Sequence, residues 1–286
     1  MEMEGKKSSS PSLQLSGTFL RLLTNPISQY SGVSTFQVER KVMLEGVRVS
    51  RRFGGLKAVT DFDFLVEKGQ IAGLIGPNGS GKTTLFNVIT GFHPADSGRI
   101  FLNGREITRC KPYEIAKLGL GRTFQIVRPL LGLSVLENVT TAVLYGRENI
   151  GTMAKGRERA LDLLKFMRLD AKQNVPAQRL VASERKRLEL ARALAIKPEF
   201  LLLDETFSGL NDTEVADAIK LIFRIRDELG VTIFLIEHVM KAVMGTCEKI
   251  FVMQYGVKLA EGKPEEVSKN PAVIEAYLGK KKRAES

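Results

Sequence analysis

The chain has 286 residues, 43% of them hydrophobic, and a formal net charge of +11 at pH 7. This length is enough for one large domain or two small ones, and the composition is ordinary for a soluble globular protein. No apolar run approaches the ~18 residues that a membrane-spanning helix needs, which argues against a chain that crosses a bilayer by itself. The positive charge suits nucleic acid, an anionic membrane surface or a phosphate ligand, and it does not choose among them.

The two ends of the chain carry no folding signal. Residues 1–41 contain the sequence SSSPS and show no sustained hydrophobic period, so they are predicted to form a disordered extension. A cleaved signal peptide is not expected, because Glu2 and Glu4 lie in the region that would be basic. A targeting or partner-binding arm is the alternative. Residues 280–286 are predicted to be a solvated basic tail.

Strand and helix patterns alternate from Val42 onward. Strand-like runs occupy residues 44–50, 60–66, 70–75, 199–203, 232–236 and 248–253. Helical patterns occupy residues 81–91, 184–196, 213–229 and 264–278. Between about 126 and 190 the strand signal disappears and the sequence becomes helix-patterned. The order predicts one α/β domain over 42–279, with a largely parallel sheet and an inserted helical subdomain.

A phosphate-binding loop follows the apolar run IAGLI. The sequence GPNGSGKTT, residues 76–84, places Gly76, Gly81, Lys82 and Thr83 in the pattern G-x-x-x-x-G-K-[ST]. Glycines let backbone amides turn towards phosphate oxygens, and the following helix N-terminus favours the anion. Lys82 would reach the outer phosphates and Thr83 would ligate Mg²⁺. An ordinary glycine-rich turn is the alternative, and the strand–loop–helix context argues against it.

A second apolar run, FLLLDE, ends in Asp204 and Glu205. Carboxylates at the carboxyl end of a parallel strand lie where ligands bind in such sheets. We therefore expect Asp204 to hold Mg²⁺ through its water shell and Glu205 to orient or deprotonate the attacking water. A non-functional acidic turn is the alternative.

The chain has two histidines and two cysteines. His238 follows the apolar strand TIFLIEH, at the same predicted sheet edge as the two carboxylates, where it could contact a γ-phosphate. His93 lies in the loop GFHPADSG and is predicted to be a surface residue. Cys110 and Cys247 are far apart and lack metal-ligand spacing, so both are predicted to be buried, reduced thiols.

These motifs, in this order, resemble the nucleotide-binding subunits of ABC transporters over about 42–279. GPNGSGKTT is similar to their Walker A loop and LLLDE to their Walker B strand, and Phe53 in RRFGG resembles the aromatic that stacks on adenine. Gln125 in GRTFQ resembles the Q-loop glutamine, Gly209-Leu210-Asn211 the D-loop, and His238 the switch histidine. The resemblance implies a P-loop NTPase (RecA-like) core with a small antiparallel β subdomain and an inserted helical subdomain.

The resemblance also implies roles for individual residues. It implies catalytic roles for Glu205, His238, Gln125 and Lys82. It implies Mg²⁺ ligands among Thr83, Gln125 and Asp204. It implies ATP contacts from Phe53, Gly76, Pro77, Asn78, Gly79, Ser80, Gly81, Lys82, Thr83 and Thr84.

Within that family the sequence is most similar to the ATP-binding subunits of branched-chain amino acid importers. The stretches that carry this likeness are LFNVITGFHPADSGRI, GLGRTFQIVRPLLGLSVLENV and YGVKLAEGKPEEVSKNPAVIEAYLG. It implies ATP and Mg²⁺ as cofactors, transmembrane permease subunits and a second ATPase subunit as partners, and indirectly a solute-binding protein. It also implies a peripheral position on the cytoplasmic face of the inner membrane. Two alternatives stay open: an exporter ATPase of the lipopolysaccharide-export type, and a non-transport ABC ATPase acting on nucleic acid or in protein assembly.

The segment RLVASERKRLELAR departs from the family. The family signature, LSGGQ or LSGGE, aligns with Leu180, Val181, Ala182, Ser183 and Glu184, and its three middle positions do not match. In the family this segment caps the γ-phosphate held by the other subunit of a head-to-tail pair. Val181 lacks the hydroxyl, and losing such a charge-assisted bond would cost about 1.5–3 kcal/mol. Ser183 is expected to serve as an N-cap.

This altered segment, beside an intact Walker set, favours a heterodimer with a related ATPase subunit, with a homodimer as the alternative. Thr206 stands where the family usually has proline, and is expected to alter the stiffness of the loop. A regulatory subunit that hydrolyses ATP poorly is a further alternative. The basic triplet at 185–187 is read as part of the signature helix and not as a nucleic-acid patch. Pairs between Arg185 and Glu189 and between Glu189 and Arg192 are expected on it.

Overall fold

A computed structural model describes residues 41–125, 129–148 and 150–278. The predicted extension over 1–41, apart from Lys41, and the predicted tail over 280–286 lie outside these ranges. Within them, no helix is both long enough and apolar enough to span a bilayer.

A four-stranded antiparallel sheet opens the fold. Its order is β2-β1-β4-β5, from strands Val42–Phe53 (β1), Leu56–Glu67 (β2), Ser97–Leu102 (β4) and Arg105–Glu106 (β5). Burial alternates along β2, where Val59, Phe62, Phe64 and Val66 point inward. This alternation is what an antiparallel sheet with one solvated face requires. The sheet is the small β subdomain that the resemblance implied.

The second sheet has six strands in the order β10-β9-β3-β8-β7-β6. They are Ile71–Ile75 (β3), Leu120–Arg122 (β6), Phe200–Asp204 (β7), Thr232–Ile236 (β8), Lys249–Gln254 (β9) and Val257–Gly262 (β10). All neighbours pair in parallel except β9 and β10. Strands β3, β7 and β8 are buried along their whole length, as expected for central parallel strands, which explains their continuous apolar runs.

Helices cover this sheet and connect its strands. They are Lys82–Ile89 (α1), Pro112–Lys117 (α2), Val135–Leu144 (α3), Met153–Phe166 (α4), Ala182–Ala195 (α5), Asp212–Leu229 (α6), Met240–Thr246 (α7), Pro264–Lys269 (α8) and Pro271–Leu278 (α9). The predicted helix over 264–278 is two helices. Pro271 has no amide hydrogen to continue the first helix, so that helix ends at Lys269, with the extended Asn270 as its C-cap.

The predicted helical subdomain is formed by α3, α4 and the first part of α5. Helices α3 and α4 pack together, and their buried side chains join the core above the parallel sheet. The fully buried Asn138 fixes the loop that leads into α3 of this subdomain. Its amide donates to the carbonyls of Leu130 and Ser134, and its oxygen accepts from the amide of Leu130 at 2.8 Å.

The two sheets place the motif residues at one edge. Strands β3, β7 and β8 run in parallel, so their carboxyl ends meet. The glycine-rich loop follows β3, Glu205 follows β7 and His238 follows β8. Ligands bind at this edge in open α/β sheets.

Candidate nucleotide site

The loop between β3 and α1 has a backbone that requires its glycines. Gly76 and Gly81 have φ angles of 155° and 108°. A Cβ on Gly76 would lie 2.0 Å from the carbonyl oxygen of Met253, and one on Gly81 would lie 2.2 Å from that of Ala58. Side chains at these positions would therefore collide with neighbouring backbone. The loop forms a cradle with the N-terminal end of α1, which suits a phosphate.

Lys82, the first residue of α1, folds over this loop. Its ammonium donates to the carbonyl oxygens of Gly76 and Pro77, each at 2.9 Å, and to the hydroxyl of Ser80 at 3.4 Å. Burial lowers the pKa of Lys82, and the nearby carboxylates of Glu205 and Asp204 oppose that effect. The cation is thus held at the phosphate cradle by neutral carbonyls and by the field of two acids.

One open cleft gathers most of the predicted site residues. It is lined by Phe53, Asn78, Gly79, Ser80, Gly81, Lys82, Thr83, Thr84, Gln125, Glu205 and His238. Gly76 and Pro77 lie beneath it as acceptors for Lys82. Asp204 and Thr83 both line an adjoining groove. Residues that are up to 185 positions apart in sequence, from Phe53 to His238, therefore share one cavity.

Glu205 adopts a backbone conformation that is unfavourable for a residue with a side chain. Its φ angle is 51°, and its amide donates to the carbonyl of Ile236 at 3.0 Å. Its carboxylate accepts a hydrogen bond of 2.8 Å from the side-chain amide of Gln125. The surrounding structure thus holds a strained residue so that its carboxylate faces the cleft, which is characteristic of functional positions.

Asp204 is paired with a cation that the motifs did not indicate. The guanidinium of Arg122 lies 2.9 Å from Asp204, and both side chains are buried. Arg122 also donates to the side-chain oxygens of Asn87 at 2.7 Å and Thr90 at 2.9 Å. Burial raises the pKa of Asp204, and Arg122 opposes this effect. Arg122 therefore links β7 to α1, the helix that follows the phosphate loop.

The remaining oxygen of Asp204 bears on metal binding. This atom, Oδ1, is buried and has no hydrogen-bond partner among the described residues. Mg²⁺ prefers carboxylate, hydroxyl and water oxygens, with substrate phosphates completing its shell. Asp204, the hydroxyl of Thr83 and the amide oxygen of Gln125 therefore fit a Mg²⁺ ion that enters with the nucleotide.

Helix α5 supplies two side chains, those of Glu189 and Lys186, to the site. The sequence did not indicate either of them as a site residue. Glu189 accepts the amide of Phe124 at 2.6 Å, immediately before Gln125. Burial raises the pKa of Glu189 to about 7. Lys186 donates to the carbonyls of Glu205 and Thr206. The sequence signal for both is weak, because charges on a helix are usually solvated.

The predicted charge pairs along α5 are partly wrong. Arg185 donates to the carbonyl of Gln178 at 2.8 Å instead of pairing with Glu189, whose carboxylate faces the Phe124 amide. Arg192 does act on Glu189 electrostatically, and it opposes the rise of the Glu189 pKa that burial causes. Arg185 and Glu189 therefore each take a backbone group as partner in place of each other.

The signature-equivalent segment begins α5 differently from the expectation. Val181 is the N-cap residue and the helix starts at Ala182, so the prediction of Ser183 as N-cap was wrong. Val181 has no side-chain acceptor and is 58% exposed. The amide of Val181 is satisfied by the carboxylate of Glu184, which also pairs with Lys172. The exposed apolar residue thus occupies the position where a serine would cap the helix.

Two aromatic side chains, those of Phe53 and Tyr255, line the cleft. Phe53 is partly exposed, with the guanidinium of Arg51 4.8 Å from its ring centroid. His93, predicted to be a surface residue, is half-buried, and its ring meets that of Phe53 edge-on at 5.2 Å. Tyr255, which the sequence did not single out, also lines the cleft.

Of the two cysteines, Cys247 is buried as predicted, whereas Cys110 is half-buried; both are free.

Glu237 is a buried acid beside His238. Its carboxylate accepts the amide of Phe207 at 2.8 Å, and burial raises its pKa to about 7. In the unfolded chain this group titrates near 4.5. The native state therefore binds the proton more tightly, and the contribution of Glu237 to the free energy of unfolding falls as pH rises from about 4.5 to about 7.

The variant Glu237→Gln is accordingly expected to lose stability less steeply than the wild type as pH rises through that window. The carboxamide cannot ionise but can still accept from the Phe207 amide. Urea unfolding at several pH values would measure the difference between the two slopes. The exposed Glu275 offers a matched control, and Glu275→Gln should keep the wild-type slope. Identical slopes for Glu237→Gln and wild type would contradict the expectation.

Comparison with known proteins identifies the family of this chain. The ABC transporter family model matches residues 59–208, and a model described as branched-chain amino acid ATP-binding cassette transporter matches residues 257–282. The high-affinity branched-chain amino acid transport ATP-binding protein LivG of Salmonella typhimurium is 40% identical, over 80% of this chain and 94% of its own. BraF of Pseudomonas aeruginosa, with the same description, is 39% identical over 83% of this chain and 98% of its own.

Solved structures give the same result. A nucleotide-free ATP-binding cassette from an ABC transporter is 31% identical, with a TM-score of 0.76, and the match covers 84% of this chain and 100% of that one. The ADP conformation of an ATP-binding cassette is 32% identical with a TM-score of 0.75, over 84% of this chain and 99% of that one. The P-loop NTPase fold is therefore confirmed, with its antiparallel and mixed sheets. This chain belongs to the ABC transporter family, as one of its ATP-binding ATPase subunits.

Proposed function

We propose that this subunit hydrolyses ATP, with Mg²⁺, to power the import of branched-chain amino acids through a membrane permease. The observation that carries the substrate class is the match of residues 257–282 to the branched-chain amino acid model, beside relatives named for that transport. The solute itself would be bound by other subunits, and a solute-binding protein would deliver it. The subunit would lie peripherally on the cytoplasmic face of the inner membrane.

The chemistry assigns one task to each side chain of the cleft. Lys82 and the amides of residues 78–84 would hold the phosphates, and Phe53 would stack on the adenine ring. Asp204, Thr83 and Gln125 would hold Mg²⁺, which neutralises phosphate charge when bound. Glu205 would orient and deprotonate water, and its hydrogen bond from Gln125 keeps the carboxylate in place. His238, exposed in the same cleft, would donate to the γ-phosphate.

An aromatic groove beside this cleft is the proposed docking surface for the permease. It lies between the core and the helical subdomain, and its exposed rings are Phe92 (52% exposed), Tyr113 (57%) and Phe124 (44%). The rings of Phe92 and Phe124 meet edge-on at 5.6 Å. Because Phe124 precedes Gln125, a partner in this groove would contact the residue next to the catalytic site. Large exposed aromatic side chains typify protein interfaces.

ATP turnover by the subunit is expected to rise when the permease is present. The test compares turnover of the subunit alone, with permease in lipid vesicles, and with permease plus a branched-chain amino acid and its binding protein. Tyr113→Ala should weaken the stimulation by at least about tenfold, as loss of an interface anchor does. Lys117→Ala, a change on the same short helix, serves as the control. Stimulation by double-stranded DNA instead of permease would favour the non-transport alternative.

We further propose that the subunit works in a pair with a related ATPase subunit. The intact Lys82, Glu205 and His238 would be completed by the partner's signature. The partner's nucleotide would meet Val181 in place of a serine hydroxyl. In a homodimer, each of the two nucleotides would meet one altered segment. That arrangement is less favourable for hydrolysis.

A further inference from the structure

Lys186 leaves helix α5 towards the loop that follows Glu205. Its ammonium donates to the carbonyl oxygen of Thr206 at 2.9 Å and to that of Glu205 at 3.4 Å. It also donates to the carbonyl oxygen of Ser208. An ammonium has three hydrogens to donate, and here three backbone acceptors face it. One half-buried side chain thus fixes three points of a single loop.

That loop needs an external constraint. Glu205 has a positive φ angle, a conformation that persists only where neighbouring groups hold it. Thr206 cannot supply the constraint through its own side chain, because its hydroxyl is buried without a hydrogen-bond partner in the part of the chain that the structure describes. The amide of Phe207 is held from the other side by the carboxylate of Glu237. Lys186 therefore provides the contact from α5.

The same helix also holds the other partner of Glu205. One turn after Lys186, Glu189 accepts the amide of Phe124 at 2.6 Å. The next residue, Gln125, donates to the carboxylate of Glu205 at 2.8 Å. Helix α5 thus contacts both the backbone of Glu205 and the segment after β6 that carries the side-chain partner of Glu205. A displacement of α5 would move both.

We propose that Lys186 is a positioning residue for ATP hydrolysis, which directs the Glu205 carboxylate by holding the carbonyls of Glu205, Thr206 and Ser208. The proposal rests on the proposed function, in which Glu205 activates the attacking water. The first residues of α5 are the signature-equivalent segment 181–184, which would meet the partner's nucleotide. Engagement of that nucleotide would therefore be passed through α5 and Lys186 to the catalytic carboxylate of this subunit.

The first experiment compares kcat and KM for ATP in the assembled complex of permease, partner ATPase and this subunit. Lys186→Met is expected to lower kcat by about 10- to 100-fold, as loss of a charged donor does, with KM within about twofold of wild type. Lys186→Arg keeps the charge and its donors, and should restore kcat to within about threefold. Lys165→Met, the same change at an exposed position of α4, should leave both constants unchanged.

The second experiment separates positioning from general loss of structure. Lys186→Met is combined with Glu205→Gln, and the residual turnover is measured. If Lys186 acts through Glu205, the double variant should turn over within about twofold of Glu205→Gln alone. The same cycle can be run on the turnover of the subunit without permease. A failure of the proposed function would appear in the wild-type complex as turnover that permease does not stimulate, whereas a failure of this proposal leaves that stimulation intact.

Two results would overturn the role of Lys186. One is an unchanged kcat in Lys186→Met; the other is an equal loss in the wild-type and Glu205→Gln backgrounds. Thermal melting checks that each variant is folded. Should Lys186→Met melt below the assay temperature, Lys186→Gln, which keeps two N–H donors, takes its place. It is then expected to lower kcat several-fold at unchanged KM, and a wild-type kcat would again overturn the proposal.

Discussion

Glu205→Gln is expected to lower ATP turnover by about 10²- to 10⁴-fold, the range that a positioned general base contributes. Nucleotide affinity should stay within about twofold of wild type, because the phosphate cradle and Lys82 are unchanged. The carboxamide nearly matches the carboxylate in shape but cannot take a proton from water. Its oxygen can still accept the hydrogen bond from Gln125 that the structure shows at 2.8 Å. Turnover and equilibrium binding of a fluorescent ATP analogue measure the two effects separately.

A matched control is Glu158→Gln on the exposed face of α4, which should keep wild-type turnover. Retained turnover in Glu205→Gln would contradict the role of Glu205 as base.

The same substitution also tests the proposed heteromeric pair. Made separately in this subunit and at the equivalent glutamate of its partner, it should cost more turnover here, where the nucleotide meets an intact partner signature. Equal losses would exclude the asymmetric arrangement.

Arg122→Met is expected to reduce the free energy of unfolding by about 3–5 kcal/mol, because it leaves a buried carboxylate without its counter-charge. Asp204 is nearly inaccessible, and Arg122 donates to it at 2.9 Å while also binding Asn87 and Thr90. The methionine side chain retains most of the volume, so the loss reports the unpaired charge more than a cavity. Chemical denaturation followed by circular dichroism measures it.

The control for this prediction is an exposed pair. Lys220→Met removes a lysine that lies 3.6 Å from Asp217 on the surface of α6, and such pairs contribute about 0–1 kcal/mol. Combining Arg122→Met with Asp204→Asn should recover part of the loss, because the uncompensated charge is then removed as well. If Arg122→Met were as stable as Lys220→Met, the buried pair would not be a structural link.

The strand predictions agree best with the structure where the apolar run in the sequence is continuous. Strands β3, β7 and β8 are unbroken apolar runs, and the structure places them in the centre of the parallel sheet. The strand Ser97–Leu102 was not predicted, because its sequence SGRIFL contains glycine and a charge and only partly alternates. Its strand conformation comes from pairing with β1, a partner about 50 residues away.

Some residues of the candidate site could be assigned from the sequence, and others could not. Residues in the loop 76–84, and those directly after β7 and β8, could be assigned from sequence because adjacency along the chain decides their place. Their proximity in one cleft follows from parallel pairing of the strands that precede them. Arg122, Lys186 and Glu189 could not be assigned this way. Each acts on a group that lies 19 to 82 positions away in sequence.

The sequence by itself determined the phosphate loop, the two carboxylates after the second buried strand, and the family to which they belong. These features are local, since a glycine needed for a positive φ angle or a lysine at the start of a helix is specified by its immediate neighbours. Only the tertiary structure decided that Arg122 neutralises Asp204 and that Lys186 holds the loop after Glu205. It also decided that Val181, and not Ser183, is the N-cap residue of α5. A charged side chain takes the partner that packing brings within reach, and that partner is settled by the folded backbone.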